Sequence, residues 1–564
     1  MFVCVAILAA AIVMVRPVGE ISFGDDAGYT HVALNVARTG HFTYNGWESA
    51  ILIPHAYWGA LFIRLFGFSF VSVRLSTIPF ALGSVVFCYL LVRRAGLQAK
   101  EALFVTVLFV LCPLFLPVAV SYMTDVPCLF FLFASLYALT RAAEASREGR
   151  GYGWLALGVI LGFLGGTGRQ VAWLAPLVVL PYLAWLRRSQ RWFACVSFAA
   201  WVTVFGAVGW VTAWFNRQPY IIEQLSLTHE LKIAVQNPKW EIEITARMLL
   251  MILLLCLPAA APLVWEAWKK TWSGIPHLRK LVVAVLLVGA IVAILIHPSL
   301  ASFPWVYSTL DWEGINGSLP LPGRPIVLTK AIRMAVALVV YAAACILAGE
   351  LVNLRKLARR ASRPFFDATR GNFALAAMSL VSVVYFALLA VRSAHTDIFD
   401  RYLLPVLPLA ATVLLLAVDS EKYGAVARRR VMPVSLALLV VLGSYAILST
   451  QDLWALARAR VTATRKLEAA GLPRTAIDAG LEYNAWTELQ ITGRVNSRWV
   501  TNPPDAYRPG LSQTPSVVPQ YRLEYAPTAE TTSSEFGSVP YFSLLPPFHK
   551  RVGIDRVVLP STPN

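Results

Sequence analysis

Continuous apolar runs, separated by short basic loops, constrain this chain more than any other feature. Runs at about 69–92, 101–119, 125–140, 153–167, 171–186, 192–214, 245–265, 281–297, 330–351, 372–391, 403–418 and 431–449 follow a first run at Met1–Val15. Segments that are apolar all round have no place on a small soluble fold. A bilayer core about 30 Å thick asks for about 20 such residues per helix. In lipid every backbone N–H and C=O must be satisfied internally, which leaves helices or closed barrels. The runs do not alternate in polarity, so they select helices. The sequence predicts an all-α polytopic membrane protein with about 13 transmembrane helices, in which 153–167 and 171–186 are two spans or one re-entrant pair. Composition agrees, because 57% of the 564 residues are hydrophobic and only 14% charged, against about a quarter charged in soluble domains.

A net charge of +18 would suit nucleic acid if the cations formed a patch. Instead 23 of the 49 Lys and Arg gather in six alternate loops: Arg93, Arg94 and Lys100; Arg141, Arg147 and Arg150; Arg187, Arg188 and Arg191; Lys269, Lys270, Arg279 and Lys280; Arg355, Lys356, Arg359, Arg360, Arg363 and Arg370; Lys422, Arg428, Arg429 and Arg430. This is the positive-inside pattern. It predicts a cell-membrane protein with a cytoplasmic N-terminus, no nucleic-acid partner, and residues 16–68, 215–244, 298–328 and 451–564 outside. Met1–Val15 lacks a basic n-region, so a start further upstream and a cleaved signal peptide are alternative readings. The seven cysteines lie in apolar runs without metal-ligand spacing and read as small core residues.

Composition divides the chain into a membrane part, 1–450, and a polar, Pro-rich part, 451–564, read as a small extracytoplasmic α+β domain. The first outer loop, 16–68, contains two amphipathic stretches, DAGYTHVALNVARTG and HAYWGALFIRLFG. They are expected to lie at the membrane interface, with Trp47, Tyr57 and Trp58 as headgroup-level anchors.

The unusual polar residues gather on the predicted outer side. Gly24-Asp25-Asp26-Ala27-Gly28-Tyr29 places two carboxylates just after the first run, and Asp26 also reads as a helix cap. Asp125 lies in SYMTDVP, Arg169 in GGTGRQ and Lys330 at the start of a span. His395, Asp397, Asp400, Arg401 and Tyr402 lie in HTDIFDRYLLPVLP. Singly, each reads as a cap or a snorkelling charge. Together, carboxylates beside cations suit an anionic substrate from which a proton must also be removed.

These stretches carry a resemblance. Asp25-Asp26-Ala27-Gly28-Tyr29, then Ala33 and Gly40, resembles the D-E-x-x-Y opening of GT-C superfamily glycosyltransferases. Within it the pattern is similar to glycosyltransferase family 39, which includes relatives of the protein O-mannosyltransferases and the aminoarabinose transferases. FGFSFVSVRL with Arg74, SYMTDVP, GGTGRQ and RYLLPVLP resemble further stretches in the same order, over residues 20 to 410. Relatives often have a basic residue before Pro in the first loop; here ESAILIPHAYW offers His55 after Pro54 and no Lys.

The resemblance implies transfer of a sugar from a polyprenyl-phosphate carrier to a hydroxyl on a lipid, glycan or protein acceptor, outside the cytoplasm among membrane lipids. It implies Asp25 as base with Asp26 in support, and Asp125 as a further catalytic carboxylate. Arg169, Arg401, Tyr402, His55 and Lys330 become donor-phosphate candidates. Whether Asp25, Asp26 and Asp125 hold a divalent cation is left open. A polysaccharide polymerase or ligase, or a lipid or solute transporter, is the rival reading.

Overall fold

The computed structural model describes residues 1–145, 148–272, 277–296, 305–306, 308–316, 320–351, 372–394, 398–418 and 425–558. Among them, eight helices are long and apolar enough to cross a membrane: Phe70–Arg94, Asp125–Glu144, Gly149–Gly168, Arg191–Phe215, Pro238–Lys269, Lys330–Gly349, Phe373–Arg392 and Val431–Ala469. Shorter apolar helices cover Phe2–Val15, Gln170–Leu186, Val283–Val292 and Leu407–Leu416. The protein is thus a multi-pass membrane protein of helical class. Trp192, Phe205, Trp210, Val440 and Val441 point outward and exposed, as they do where lipid is the solvent.

Two expectations need correction. The run 101–119 is not one span but two helices, Ala99–Val110 and Phe115–Ala119. Pro113 between them has no N–H to continue the helical ladder. The last span does not stop at 449 either: one helix runs Ala425–Ala469 and enters the C-terminal part unbroken. Basic residues 355–370 and Lys422 lie outside the described residues.

The two amphipathic stretches of the first loop form helices Asp26–Thr39 and Ile53–Phe66, which pack on each other. Gly40, at φ 77, closes the first by donating its N–H to Val36 O, a left-handed position suited to glycine. The C-terminal part holds helix Leu481–Thr492 and a four-stranded sheet. The sheet order is Ile477–Asp478, Tyr521–Glu524, His549–Val557, Thr531–Phe542, with the first pair parallel and the others antiparallel.

This part is tied to the membrane helices. Lys550 Nζ meets Asp452 Oδ1 at 2.7 Å, and Arg324 Nη2 meets Asp452 Oδ2 at 2.6 Å, with all three side chains buried. Ala485, Leu489 and Val495 pack on Ala27 and Trp47 of the first loop, and Val495 N donates to Asn45 O.

Candidate active site

Four ionic side chains from distant parts of the chain meet at one end of the bundle. Asp25 sits in the turn before Asp26–Thr39, ten residues beyond the first apolar helix rather than at its end. Asp125 opens helix Asp125–Glu144, and Arg401 sits on the 3-10 turn Asp400–Leu403. Arg169 stands in extended backbone between Glu148–Gly168 and the 3-10 turn Gln170–Trp173. That turn closes tightly because Gly166 faces the Trp173 ring, where a Cβ would come within 1.9 Å of it.

Arg401 bridges the two carboxylates. Its Nη2 donates to Asp25 Oδ2 at 2.8 Å, and its Nε lies 3.7 Å from Asp125 Oδ2. Arg169 Nη2 lies 3.4 Å from Asp125 Oδ1, and its Nη1 donates to Thr124 Oγ1 at 2.7 Å. The Arg169 guanidinium sits 4.9 Å from the Tyr402 ring centre, and that of Arg401 5.8 Å from it, within reach of cation–π attraction. The result is a charge-balanced chain, Asp25–Arg401–Asp125–Arg169. Asp25 keeps 29% side-chain exposure and Asp125 only 6%, so Asp25 is the accessible carboxylate. Tyr29, one turn on from Asp25, interacts with Asp25, Arg169, Arg401 and Tyr402.

Asp26 faces elsewhere. Its Oδ1 accepts from Phe23 N at 2.6 Å and its Oδ2 from Tyr122 N at 3.1 Å. It caps no helix with its side chain; Asp25 holds the cap place, also without a capping bond. Burial pushes the Asp26 carboxyl up to about 7. Asp26 therefore ties the first loop to the Ser121–Thr124 turn instead of standing beside Asp25 in the network.

His55 is likewise a packing residue. It stacks on Tyr122 with ring centres 4.0 Å apart, its Nε2 lies 3.1 Å from Tyr122 O, and Tyr122 Oη donates to His55 O. Burial lowers its pKa to about 4, so it is neutral and offers no positive charge to a phosphate. A cavity of about 260 Å³, lined by His55, Trp58, Phe80, Cys128 and Phe131 among others, opens beside Arg169. Lys330 is exposed at its helix start and has no ion pair among those described, so it does not join the cluster. His395 and Asp397 lie outside the described residues. Asp400 is buried and accepts from Thr309 N and Leu310 N, which anchors the segment beside Arg401.

For a divalent cation the residues do not fit. Among the described residues no three His, Cys, Asp or Glu side chains converge as ligands. A guanidinium already lies between Asp25 and Asp125, and both Asp26 oxygens are taken by backbone N–H groups.

Sequence reasoning missed Thr124 and Trp47. Thr124 had a signal, adjacency to Asp125. Trp47, read as a headgroup anchor, is 9% exposed and donates its indole N–H to Asp25 Oδ1 at 3.0 Å. Nothing local in the sequence marks that contact.

A multi-pass helical bundle with a carboxylate–guanidinium chain at one end is the class of protein these observations define. Residues 53–215 match the family model described as dolichyl-phosphate-mannose-protein mannosyltransferase. This match bears out the GT-C superfamily resemblance and supports glycosyltransferase activity in general. The matched stretch holds His55, Arg74, Asp125 and Arg169, while Asp25 and Arg401 lie outside it.

Comparison with curated proteins gives no match. Among solved structures, ArnT from Cupriavidus metallidurans bound to undecaprenyl phosphate is similar at 12% identity and TM-score 0.41, over 100% of this chain and 99% of that one. Its apo state aligns at 16% identity and TM-score 0.35, over 86% and 82%. The Archaeoglobus fulgidus oligosaccharyltransferase aligns at 14% identity and TM-score 0.39, over 80% of this chain and 55% of that one. These identities and scores are low, and the likenesses stand as such.

Proposed function

We propose that this protein moves a sugar from a polyprenyl-phosphate carrier to a hydroxyl acceptor on the extracytoplasmic face of the cell membrane. The observation that carries this reading is the buried chain Asp25–Arg401–Asp125–Arg169 with its one accessible carboxylate. In the proposed reaction the acceptor oxygen attacks the anomeric carbon and gives its proton to Asp25, the general base. The bond from that carbon to the phosphate oxygen breaks, and its electron pair leaves with the lipid phosphate. Arg401 and Arg169 stabilise the charge that grows there, since the guanidinium fork suits phosphate oxygens and a buried site strengthens it. Among the described residues Arg401 Nε makes no hydrogen bond, its nearest carboxylate oxygen being Asp125 Oδ2 at 3.7 Å, and it is a donor for an incoming oxygen. The mostly apolar cavity beside Arg169 suits the first isoprene units of the carrier. Asp125 orients both cations, and Asp26 holds the loop in place of supporting the base.

The test is transfer by purified protein from a panel of undecaprenyl-phosphate hexoses and pentoses. Asp25→Asn keeps shape and removes basicity; it is expected to insert normally and to transfer at least about a hundredfold more slowly, in the range of lost general-base catalysis. Arg401→Ala removes one charge-assisted contact of roughly 1.5–3 kcal/mol and is expected to weaken donor use about ten- to a hundredfold. Transfer by Asp25→Asn near the wild-type rate would sink the base assignment; full activity of Arg401→Ala would sink the phosphate assignment.

A further inference from the structure

Arg401 is held on three edges. Its Nη2 donates to Asp25 Oδ2 at 2.8 Å, its Nη1 donates to Ser308 Oγ at 3.2 Å, and its Nε faces Asp125 Oδ2 at 3.7 Å without a hydrogen bond. The Phe399 ring centre lies 4.4 Å from the guanidinium carbon. Among these oxygens only that of Ser308 is uncharged, and the backbone that carries it is unusual. Ser308 has φ 118, a strained conformation for any residue with a Cβ. Glycine would take it more easily, but glycine has no hydroxyl. The residues that follow fix this conformation. Thr309 N donates to Asp400 Oδ1 at 3.0 Å and Leu310 N to Asp400 Oδ2 at 2.7 Å, so successive backbone donors close on the carboxylate next to Arg401. The segment then reverses as a hairpin, with Leu310 opposite Ile315 and Asp311 opposite Gly314, and Asn316 N returns to Thr309 O at 2.9 Å. Arg324 pins the hairpin: its Nη1 donates to Ile315 O at 2.7 Å while its Nη2 pairs with Asp452 of the long helix.

We infer that Ser308 is a positioning residue for Arg401: its hydroxyl, held by strained backbone, fixes the plane of the guanidinium so that Nε stays free for a lipid phosphate. This rests on the reading of Arg401 as a donor-phosphate cation. Strained backbone persists only where its surroundings over-determine it, and it collects at functional sites. Here the hairpin and the Asp400 contacts over-determine the place of one hydroxyl, and that hydroxyl faces Arg401. The chemistry explains why the third edge carries a serine. Asp25 and Asp125 both attract the guanidinium, and a turn towards Asp125 would spend Nε on a carboxylate. A neutral acceptor on the opposite amino group resists that turn. A third carboxylate would hold the guanidinium as firmly, but its charge would repel the phosphate.

The experiment compares binding of undecaprenyl phosphate and of undecaprenol, which lacks the phosphate, to the full-length protein in detergent, together with Tm. Ser308→Ala removes the hydroxyl and keeps the strain; Ser308→Gly removes the hydroxyl and relieves the strain. Both are expected to bind undecaprenyl phosphate about tenfold more weakly, the weight of one hydrogen bond to a charged group, with undecaprenol binding unchanged. Ser308→Gly should nevertheless melt at a higher temperature than Ser308→Ala, because glycine has no Cβ to strain. It carries the binding test alone if Ser308→Ala does not fold. Added to Arg401→Ala, Ser308→Gly should weaken binding no further, since a residue that acts only through Arg401 then has nothing to act on. Unchanged undecaprenyl phosphate binding in Ser308→Gly overturns the inference. So does an equal loss with undecaprenol, a further loss in the Arg401→Ala background, or a Tm no higher than that of folded Ser308→Ala. If wild-type protein does not prefer undecaprenyl phosphate to undecaprenol, or keeps the preference in Arg401→Ala, the donor reading fails and this inference fails with it. If Arg401→Ala loses the preference and the Ser308 variants keep it, the donor reading stands and only the role of Ser308 falls.

Discussion

Asp25 and Asp26 are adjacent and chemically identical, yet their surroundings separate them. Asp25 pairs with a cation and meets solvent, while Asp26 is wholly buried on backbone donors. Burial likewise pushes Glu48 up to about 7 and Asp400 up to about 6. A carboxyl raised this way binds its proton more tightly folded than unfolded. Its contribution to stability is complete below about pH 4, where both states are protonated, and is lost as pH rises towards 7. The Tm of the detergent-solubilised protein is therefore expected to carry a component that declines from about pH 4 to about pH 7. Asp26→Asn, which cannot titrate, should flatten part of that decline. A Tm-against-pH curve for Asp26→Asn parallel to wild type would refute the assignment.

Among elements, the short helix Phe70–Leu75 shows how one residue can carry a loop. Its start is a capping box between Ser69 and Ser72, two orphan helix donors satisfied reciprocally. Its Arg74 donates to Pro17 O and to Gly19 O, the latter at 2.8 Å, as well as to Ile21 O. The guanidinium lies 4.2 Å from the Trp454 ring centre. One buried cation thus joins the segment leading to Asp25, a membrane helix and the long helix Ala425–Ala469. Arg74→Ala would strand these buried carbonyls, at a cost of roughly 3 kcal/mol or more. It should lower Tm and slow transfer together. Arg74→Lys should recover only part, because an ammonium has no fork to reach three carbonyls. Wild-type Tm in Arg74→Ala would show that the loop is held by other means.

At the scale of the molecule, every candidate site residue brought into the network sits at the same end of the bundle. The positive-inside pattern leads to the expectation that the basic loops and the C-terminal part lie on opposite sides of the membrane. A topology reporter fused at Gly96, after Arg93 and Arg94, is expected to read cytoplasmic. One at Gly510 should read extracytoplasmic, where a lipid-phosphate donor facing outward would be used. A cytoplasmic signal at Gly510 would turn the whole site to the other face. The buried Arg324–Asp452–Lys550 group couples the C-terminal sheet to the long helix.

Apolar run length is a local property, which is why the helical membrane class and most spans could be read from the chain alone. So could the four ionic residues of the network: Asp125, Arg169 and Arg401 stand at the ends of apolar runs, where charge is costly and conspicuous, and Asp25 stands out as one of two adjacent carboxylates. The break at Pro113 was also local, but run length concealed it. The division of labour between Asp25 and Asp26 was not readable, since it depends on which backbone donors arrive from Tyr122, almost a hundred residues away. The roles of His55 and Trp47 were hidden for the same reason: burial against Tyr122 makes one neutral, and a turn backed by residues 485–495 aims the other at Asp25. Residue type states what a side chain can donate or accept; only the tertiary packing decides which partner reaches it and how much water remains.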